Sequence, residues 1–270
     1  MAAACGGGGD GGNNENKTII IGHSPYDYEL PPIEVTKILA DELGYNIEIV
    51  DGDIGFMFAG LDTNDIDIWP GVWLPSIHKT YQEQYQDKYE LGSAIFESAP
   101  IGWAVPNYVD IDSIDEIKGN EDKVNGKLIG LEPGAGMMLV SEQIIDAYDL
   151  DLELVSGSFA GMLAEAEYAV SQNEPIMILA WRPHTMIKNY DLKILEETQG
   201  YWEQDSQLWG INKNFASKAP EIYNLVKQFE MSIEDHEDFL LFTENGGDPV
   251  QWAQQWIEEH RADIDHWLGM

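Results

Sequence analysis

Cysteine is almost absent. The 270 residues hold one, Cys5, so no intrachain disulfide can form and no cysteine-based zinc site can be built. Basic residues are few: 14 Lys plus Arg stand against 49 Asp plus Glu, for a formal net charge of -35. A surface so negative repels phosphate backbones, which excludes nucleic acid as a partner. No stretch of about 18 consecutive apolar residues is present, so nothing reads as a membrane span. Enzyme signatures are missing as well. PGAGMML carries Leu139 where a dinucleotide fingerprint needs its third glycine, and no P-loop lysine follows. HEDFL at His236 lacks the second histidine of a metalloprotease helix, and SGSFAG does not set a serine at nucleophile-elbow spacing. The six histidines share no spacing, and neither a metal nor a cofactor is expected.

What is present argues for a packed fold. Apolar residues make up 44%, with nine Trp and twelve Tyr in regular periodicity, which an unfolded acidic chain would not show. The carboxylates therefore belong on the surface. Their mutual repulsion is screened at molar salt, where the Debye length falls to about 3 Å, so a source living in brine is expected. The first residues, MAAACGGGGDGGNNEN, set small residues before Cys5 and a Gly/Asn stretch after it. That pattern resembles the processing site of a bacterial lipoprotein, so residues 1–16 read as a flexible tether with Cys5 as the lipid attachment point.

From Lys17 onward strand-like and helix-like patterns alternate. TIIIG, NIEIV, IDIWP, PIGWAVP, KLIGL, LELVSG, PIMILAW and QLWGIN read as strands. PPIEVTKILADELG reads as a helix opened by proline and closed by Gly44, and MMLVSEQIIDAYD and GMLAEAEYAVSQN as further helices. A last helix opens at DPVQW, capped by Asp248 with Pro249 in its first turn, and Trp252, Trp256 and Trp267 share its packing face. This is an α/β chain, without an internal sequence repeat. Such folds bind ligands at the carboxyl ends of strands.

Aromatic residues and glycines collect at those strand ends. Tyr26 and Tyr28 stand in GHSPYDYEL, Trp69 and Trp73 in IDIWPGVWLPSIHKTY, a PGAG turn at residues 133–136, and Trp181 in LAWRPHTM. One such ring is ordinary packing; the coincidence at several strand ends points to a ligand.

The stretches GYNIEIVDGDIGFMFAGL, VWLPSIHKTY, IGWAVPNYVDIDSIDEIKG, KLIGLEPGAGMM and ILAWRPHTMIKNYDLKIL resemble the glycine betaine and proline betaine binding proteins of ABC importers, in order, from about Thr18 to the C-terminus. The resemblance implies a two-lobed type II periplasmic-binding-protein fold, each lobe a mixed sheet flanked by helices. Residues 17–104 plus 208–270 are expected in one lobe and 105–207 in the other. It implies Trp73 and Trp181 as cage walls from opposite lobes, His78 as a donor to the ligand carboxylate, and the backbone N–H groups of Gly136 and Met137 as its helix-end partners. Where close relatives have Trp before Asp-x-Glu, this chain has Tyr26 before Asp27 and Glu29. Tyr26 is expected as the third wall, with Tyr28 as the alternative. Tyr28, Trp69 and Trp103 are placed at the cleft rim, although packing at a lobe crossover accounts equally for the two tryptophans; His23 and His184 are expected to be structural.

The implied function is extracytoplasmic capture of a small quaternary-ammonium zwitterion by a monomer that hands it to a membrane permease. Choline, carnitine, ectoine and dimethylsulfoniopropionate are alternative ligands. A hydrolase using His78 with Asp27 or Glu29 is the alternative of another class.

Overall fold

A computed structural model describes residues 17–270; the expected tether and Cys5 lie outside the described residues. Two five-stranded mixed sheets organise the chain. The first is built from β1 (Thr18–His23), β2 (Asn46–Asp51), β3 (Ile68–Leu74), β4 (Tyr89–Ala99) and β10 (Asp205–Asn212), in the order β2-β1-β3-β10-β4. The second holds β5 (Ile101–Pro106), β6 (Lys127–Ile129), β7 (Glu153–Val155), β8 (Ile178–Trp181) and β9 (Leu192–Ile194), in the order β7-β6-β8-β5-β9. In each, four strands run the same way and one, β10 in the first sheet and β5 in the second, runs antiparallel between the parallel group and the edge strand.

The central strands are buried on both faces, as expected of parallel strands covered by helices. In β3 only Leu74 is not fully buried, and β8 is buried throughout. On the first sheet pack α1 (Leu30–Glu42), α2 (Ile54–Thr63) and α3 (Lys79–Tyr85); on the second, α4 (Gly136–Ala147), α5 (Phe159–Gln172) and the short α6 (Met186–Asn189). The carboxyl-terminal helices α7 (Phe215–Lys218), α8 (Pro220–Val226), α9 (Ile233–Glu244), α10 (Pro249–Glu259) and α11 (Arg261–Leu268) return to the first sheet, tied there by the Met231 N–H bond to the Ile95 carbonyl at 2.8 Å.

Local sequence sets several boundaries. Proline opens α1, and Gly44, at φ +79, follows its end where an L side chain would be strained. The Asp248 side chain accepts from the Val250 N–H at 3.0 Å, with Pro249 in the first turn. The expected final helix is divided at His260; Trp252 and Trp256 are buried, and Trp267 packs on Phe229 with Trp256.

The chain passes between sheets at Pro100 and again before Asp205. Ile101–Ala104 pair with β8, and Asp205 pairs with Ala99, so the expected divisions at 104/105 and 207/208 move to residues 100 and 204. A strand cannot be divided between sheets when its backbone bonds are all made on one side of the cleft. Among the described residues no helix is long and apolar enough to cross a membrane, and no cluster of three His, Cys, Asp or Glu could hold a metal.

Candidate functional site

The stretch VWLPSIHKTY turns the end of β3 into the floor of the cleft between the lobes. Beyond Trp73 the chain reverses and its turn is fixed by buried Asp205. One carboxylate oxygen accepts from the Ser76 N–H at 2.8 Å and its hydroxyl at 2.7 Å; the other accepts from the Ile77 N–H at 2.8 Å. His78 then folds back on Trp73. Its N–H donates to the Trp73 carbonyl at 3.0 Å, and its Nδ1 accepts the Trp73 N–H at 3.0 Å. That acceptor role assigns the ring proton to Nε2. Burial pushes the imidazole pKa down to about 3, so His78 is a neutral donor. The rings of Phe58, Trp69 and Tyr81 lie around it at centroid distances of 5.6, 5.8 and 6.2 Å.

The second group of rings follows β1. A tight turn, with the Tyr26 N–H on the Ser24 carbonyl at 2.7 Å, leads into a single 3-10 turn over Asp27–Glu29. This stacks Tyr26 on Tyr28, centroids 5.6 Å apart and planes within 10°. Glu29 turns inward and is fully buried, accepting from the Ser24 N–H at 2.8 Å and from the Ser24 hydroxyl. Burial, only partly offset by the Ser24 bonds, pushes its carboxyl pKa up to about 8.

The second lobe answers with Trp181 and with the start of α4. Trp181 meets Tyr26 edge-to-face at 5.7 Å and Tyr28 at 6.4 Å, while Trp73 meets Tyr28 at 5.2 Å from the other side. Both tyrosines line the cavity, and Tyr28, expected at the rim or as the alternative wall, touches both tryptophans. Ala135, which precedes α4, offers no side-chain cap, so the N–H groups of Gly136 and Met137 stay free for an incoming acceptor at the positive end of the helix. Gly136 is required by close approach: a Cβ would lie 2.1 Å from the Ile77 carbonyl oxygen across the cleft.

Tyr26, Trp73, His78, Gly136, Met137 and Trp181 thus line one cavity, with Tyr28 and apolar Ile54, Ile77 and Leu131. No Asp, Glu, Lys or Arg lines it among the described residues. The arrangement offers π faces at one end and neutral N–H donors at the other. The four rings lie against one another, with centroids 5.2 to 6.4 Å apart.

Two rim expectations are corrected. Trp69 and Trp103 are fully buried and do not line the cavity. Trp69 is the second residue of β3, with most of the strand still to follow, and its ring enters the core behind His78; the Trp103 indole donates to the Ser141 hydroxyl at 2.9 Å inside the second lobe. His23 and His184 take structural places. The former bonds Asp51 at 2.8 Å, and the latter accepts the Met186 N–H at 2.9 Å. Phe159, 5.3 Å from Trp181 and 5.8 Å from Tyr26, was not anticipated because it opens a helix.

Contacts on either side of the cavity hold the lobes together. On one side the Tyr26 hydroxyl donates to Glu132 at 2.7 Å and the Tyr81 hydroxyl to the Gly134 carbonyl at 2.9 Å. On the other, Arg182 forks onto Glu237 at 2.6 and 2.9 Å, Lys188 approaches Glu237 at 3.6 Å, and Asn189 donates to Glu244 at 2.9 Å.

Comparison with known proteins agrees with the two-sheet fold. The closed, liganded lactococcal OpuAC complexed with glycine betaine superposes with a TM-score of 0.87 at 28% identity, covering 93% of this chain and 99% of that one. ProX of Borrelia burgdorferi gives 0.86 at 28% identity, covering 93% and 96%. These matches place the fold among the type II periplasmic binding proteins. The glycine betaine/carnitine transport binding protein GbuC of Listeria monocytogenes is 27% identical over 181 residues, 66% of this chain; the chain spans 58% of that relative's length. The substrate binding domain of ABC-type glycine betaine transport systems is matched over residues 17–259, and with rings, imidazole and helix end gathered in the one cleft, the chain belongs to that family.

Proposed function

We propose that this protein captures glycine betaine, or a closely related quaternary-ammonium osmolyte, outside the cell membrane and delivers it to an ABC permease. The observation that carries the reading is one cavity lined by rings from both lobes and by neutral donors, with no charged side chain in the lining among the described residues. A quaternary ammonium has no N–H to donate, so hydrogen bonds cannot select it and ring faces can. Each desolvated face contributes roughly 0.5 to 2 kcal/mol. A carboxylate on the Gly136 and Met137 amides and on His78 Nε2 adds about 1.5 to 3 kcal/mol per charge-assisted bond. After the cost of fixing the ligand, a complex near -8 kcal/mol, in the micromolar range, is a reasonable total of about that size.

The donors separate the alternatives. Choline lacks a carboxylate and leaves the amide pair and the imidazole without an acceptor, which costs more than the missing attraction alone. Side-by-side calorimetric titrations with glycine betaine, proline betaine, carnitine, ectoine, dimethylsulfoniopropionate and choline at molar salt are expected to rank a betaine first. Tighter binding of choline, or saturable binding of none, would overturn the proposal.

The hydrolase alternative finds no support in the side-chain geometry. His78 Nδ1 takes the Trp73 amide rather than a carboxylate, and Glu29 is held by Ser24. Extracytoplasmic capture is the working place of the family. A lipid anchor at Cys5, a monomeric state and the pairing with a permease are part of the proposed reading, tested by metabolic lipid labelling, scattering mass and co-purification.

A further inference from the structure

We propose that Glu132 is a positioning residue that makes the Tyr26 wall a latch: its carboxylate, on the second lobe, holds the Tyr26 hydroxyl of the first and so couples the cage to closure. The inference rests on the proposed role of the cavity and adds to it a residue outside the lining. Tyr26 is nearly buried, and its hydroxyl donates to Glu132 Oε1 at 2.7 Å across the cleft. Burial and the neighbouring Glu132 both hold the Tyr26 proton in place, so the phenol is the donor.

The placement of Glu132 gives the bond its consequence. Glu132 opens the turn whose far end is the start of α4, and its backbone carbonyl accepts the Ala135 N–H at 2.9 Å. Pulling on Glu132 therefore pulls on the segment that presents the Gly136 and Met137 amides. Tyr81 grips the same turn through the Gly134 carbonyl at 2.9 Å, and Gly136 abuts the Ile77 carbonyl. The wall that would face the ammonium and the amides that would face the carboxylate are thus joined by one charge-assisted bond that forms only when the lobes meet. A tryptophan, the residue that the resemblance leads one to expect here, has no hydroxyl to reach Glu132. The latch comes with the tyrosine. Donation to an anion also raises the electron density of the phenol ring, which deepens the attraction of its face for a methylated cation.

The test uses the full chain at molar salt with Tyr26→Phe, Glu132→Ala and the double variant. Glycine betaine is the probe in stopped-flow fluorescence, and small-angle scattering is recorded without ligand. Tyr26→Phe keeps the ring and loses only the oxygen. It is expected to bind about five- to twentyfold more weakly, the loss appearing in the dissociation rate. Glu132→Ala is expected to match it, and the double variant to be no worse than the weaker single one. Ligand-free variants are expected to show a larger radius of gyration with an unchanged thermal midpoint. Affinity and dissociation rate within twofold of wild type in Tyr26→Phe, or losses that multiply in the double variant, would overturn the latch. If the wild type binds no betaine, the functional reading falls by itself; the scattering comparison then decides the latch, an unchanged radius counting against it.

Discussion

The two lobes share a strand order but line the cavity with different groups. In each, the third strand of the parallel group carries at its carboxyl end a tryptophan that lines the cavity, Trp73 in β3 and Trp181 in β8. The first strand of each group ends differently. After β1 come two stacked tyrosines, whereas after β6 comes a glycine turn that opens α4 with bare amides. On the proposed function, one lobe would read its guest with side chains and the other largely with main chain. Equivalent topological positions can therefore carry opposite halves of one recognition problem, and a structural repeat persists where the sequence shows none.

The comparison breaks most visibly at the tryptophans. Trp181→Ala and Trp73→Ala are each expected to weaken betaine binding by roughly thirtyfold or more, about 2 kcal/mol, without unfolding the protein. Near-normal affinity in either, by titration of folded protein, would show that one lobe does the work alone. Next in size is Gly136→Ala. Its methyl group meets the Ile77 carbonyl only when the lobes are together, so about tenfold weaker binding with an unchanged melting temperature is expected, read by calorimetry beside thermal unfolding. A smaller effect, about two- to fivefold, is expected for Glu237→Gln, because Arg182 and Glu237 are partly open to solvent and share the flank with Lys188. This loss should shrink as salt rises.

The smallest effect sharpens the contrast through pH. Glu29 binds its proton more tightly in the folded state, with its pKa moved from 4.5 to about 8, so its contribution to stability is full below about pH 4.5 and is lost as pH rises through about 8. Glu29→Gln is expected to flatten the fall in melting temperature over that window, an effect confined to the tyrosine-bearing lobe. The buried histidines act oppositely. His78, His184 and His236, lowered by burial to about 3, 4 and 4, leave stability intact above pH 6.5 and lose it as pH falls toward those values, in both lobes. A variant whose alkaline slope matches wild type would remove Glu29 from this account.

The strand ends were legible because α/β chains place ligands there and because Trp, Tyr, Gly and Pro rarely gather by accident. Eight segments expected as strands coincide with the sheets, while Tyr89–Ala99 and Leu192–Ile194 were not anticipated. The long β4 is an edge strand with no clean burial alternation, since glycine, serine and glutamate interrupt its apolar residues. Trp69 and Trp103 misled for a related reason: a ring near a strand end in sequence can still enter the core when the strand continues past it. Glu132 and Glu237 were invisible as inter-lobe partners. Each meets a residue more than fifty positions away, and only the closed cleft brings those pairs together.

The uncharged lining of the cavity bears on performance in a changing medium. Dissolved ions compete with charge pairs that water can reach and hardly at all with ring faces and main-chain amides sealed between two halves. Apart from the few-fold share of the Arg182–Glu237 flank, the half-saturation concentration should consequently hold steady while the surroundings are concentrated or diluted, and a receptor of this kind counts its solute rather than the strength of the solution carrying it.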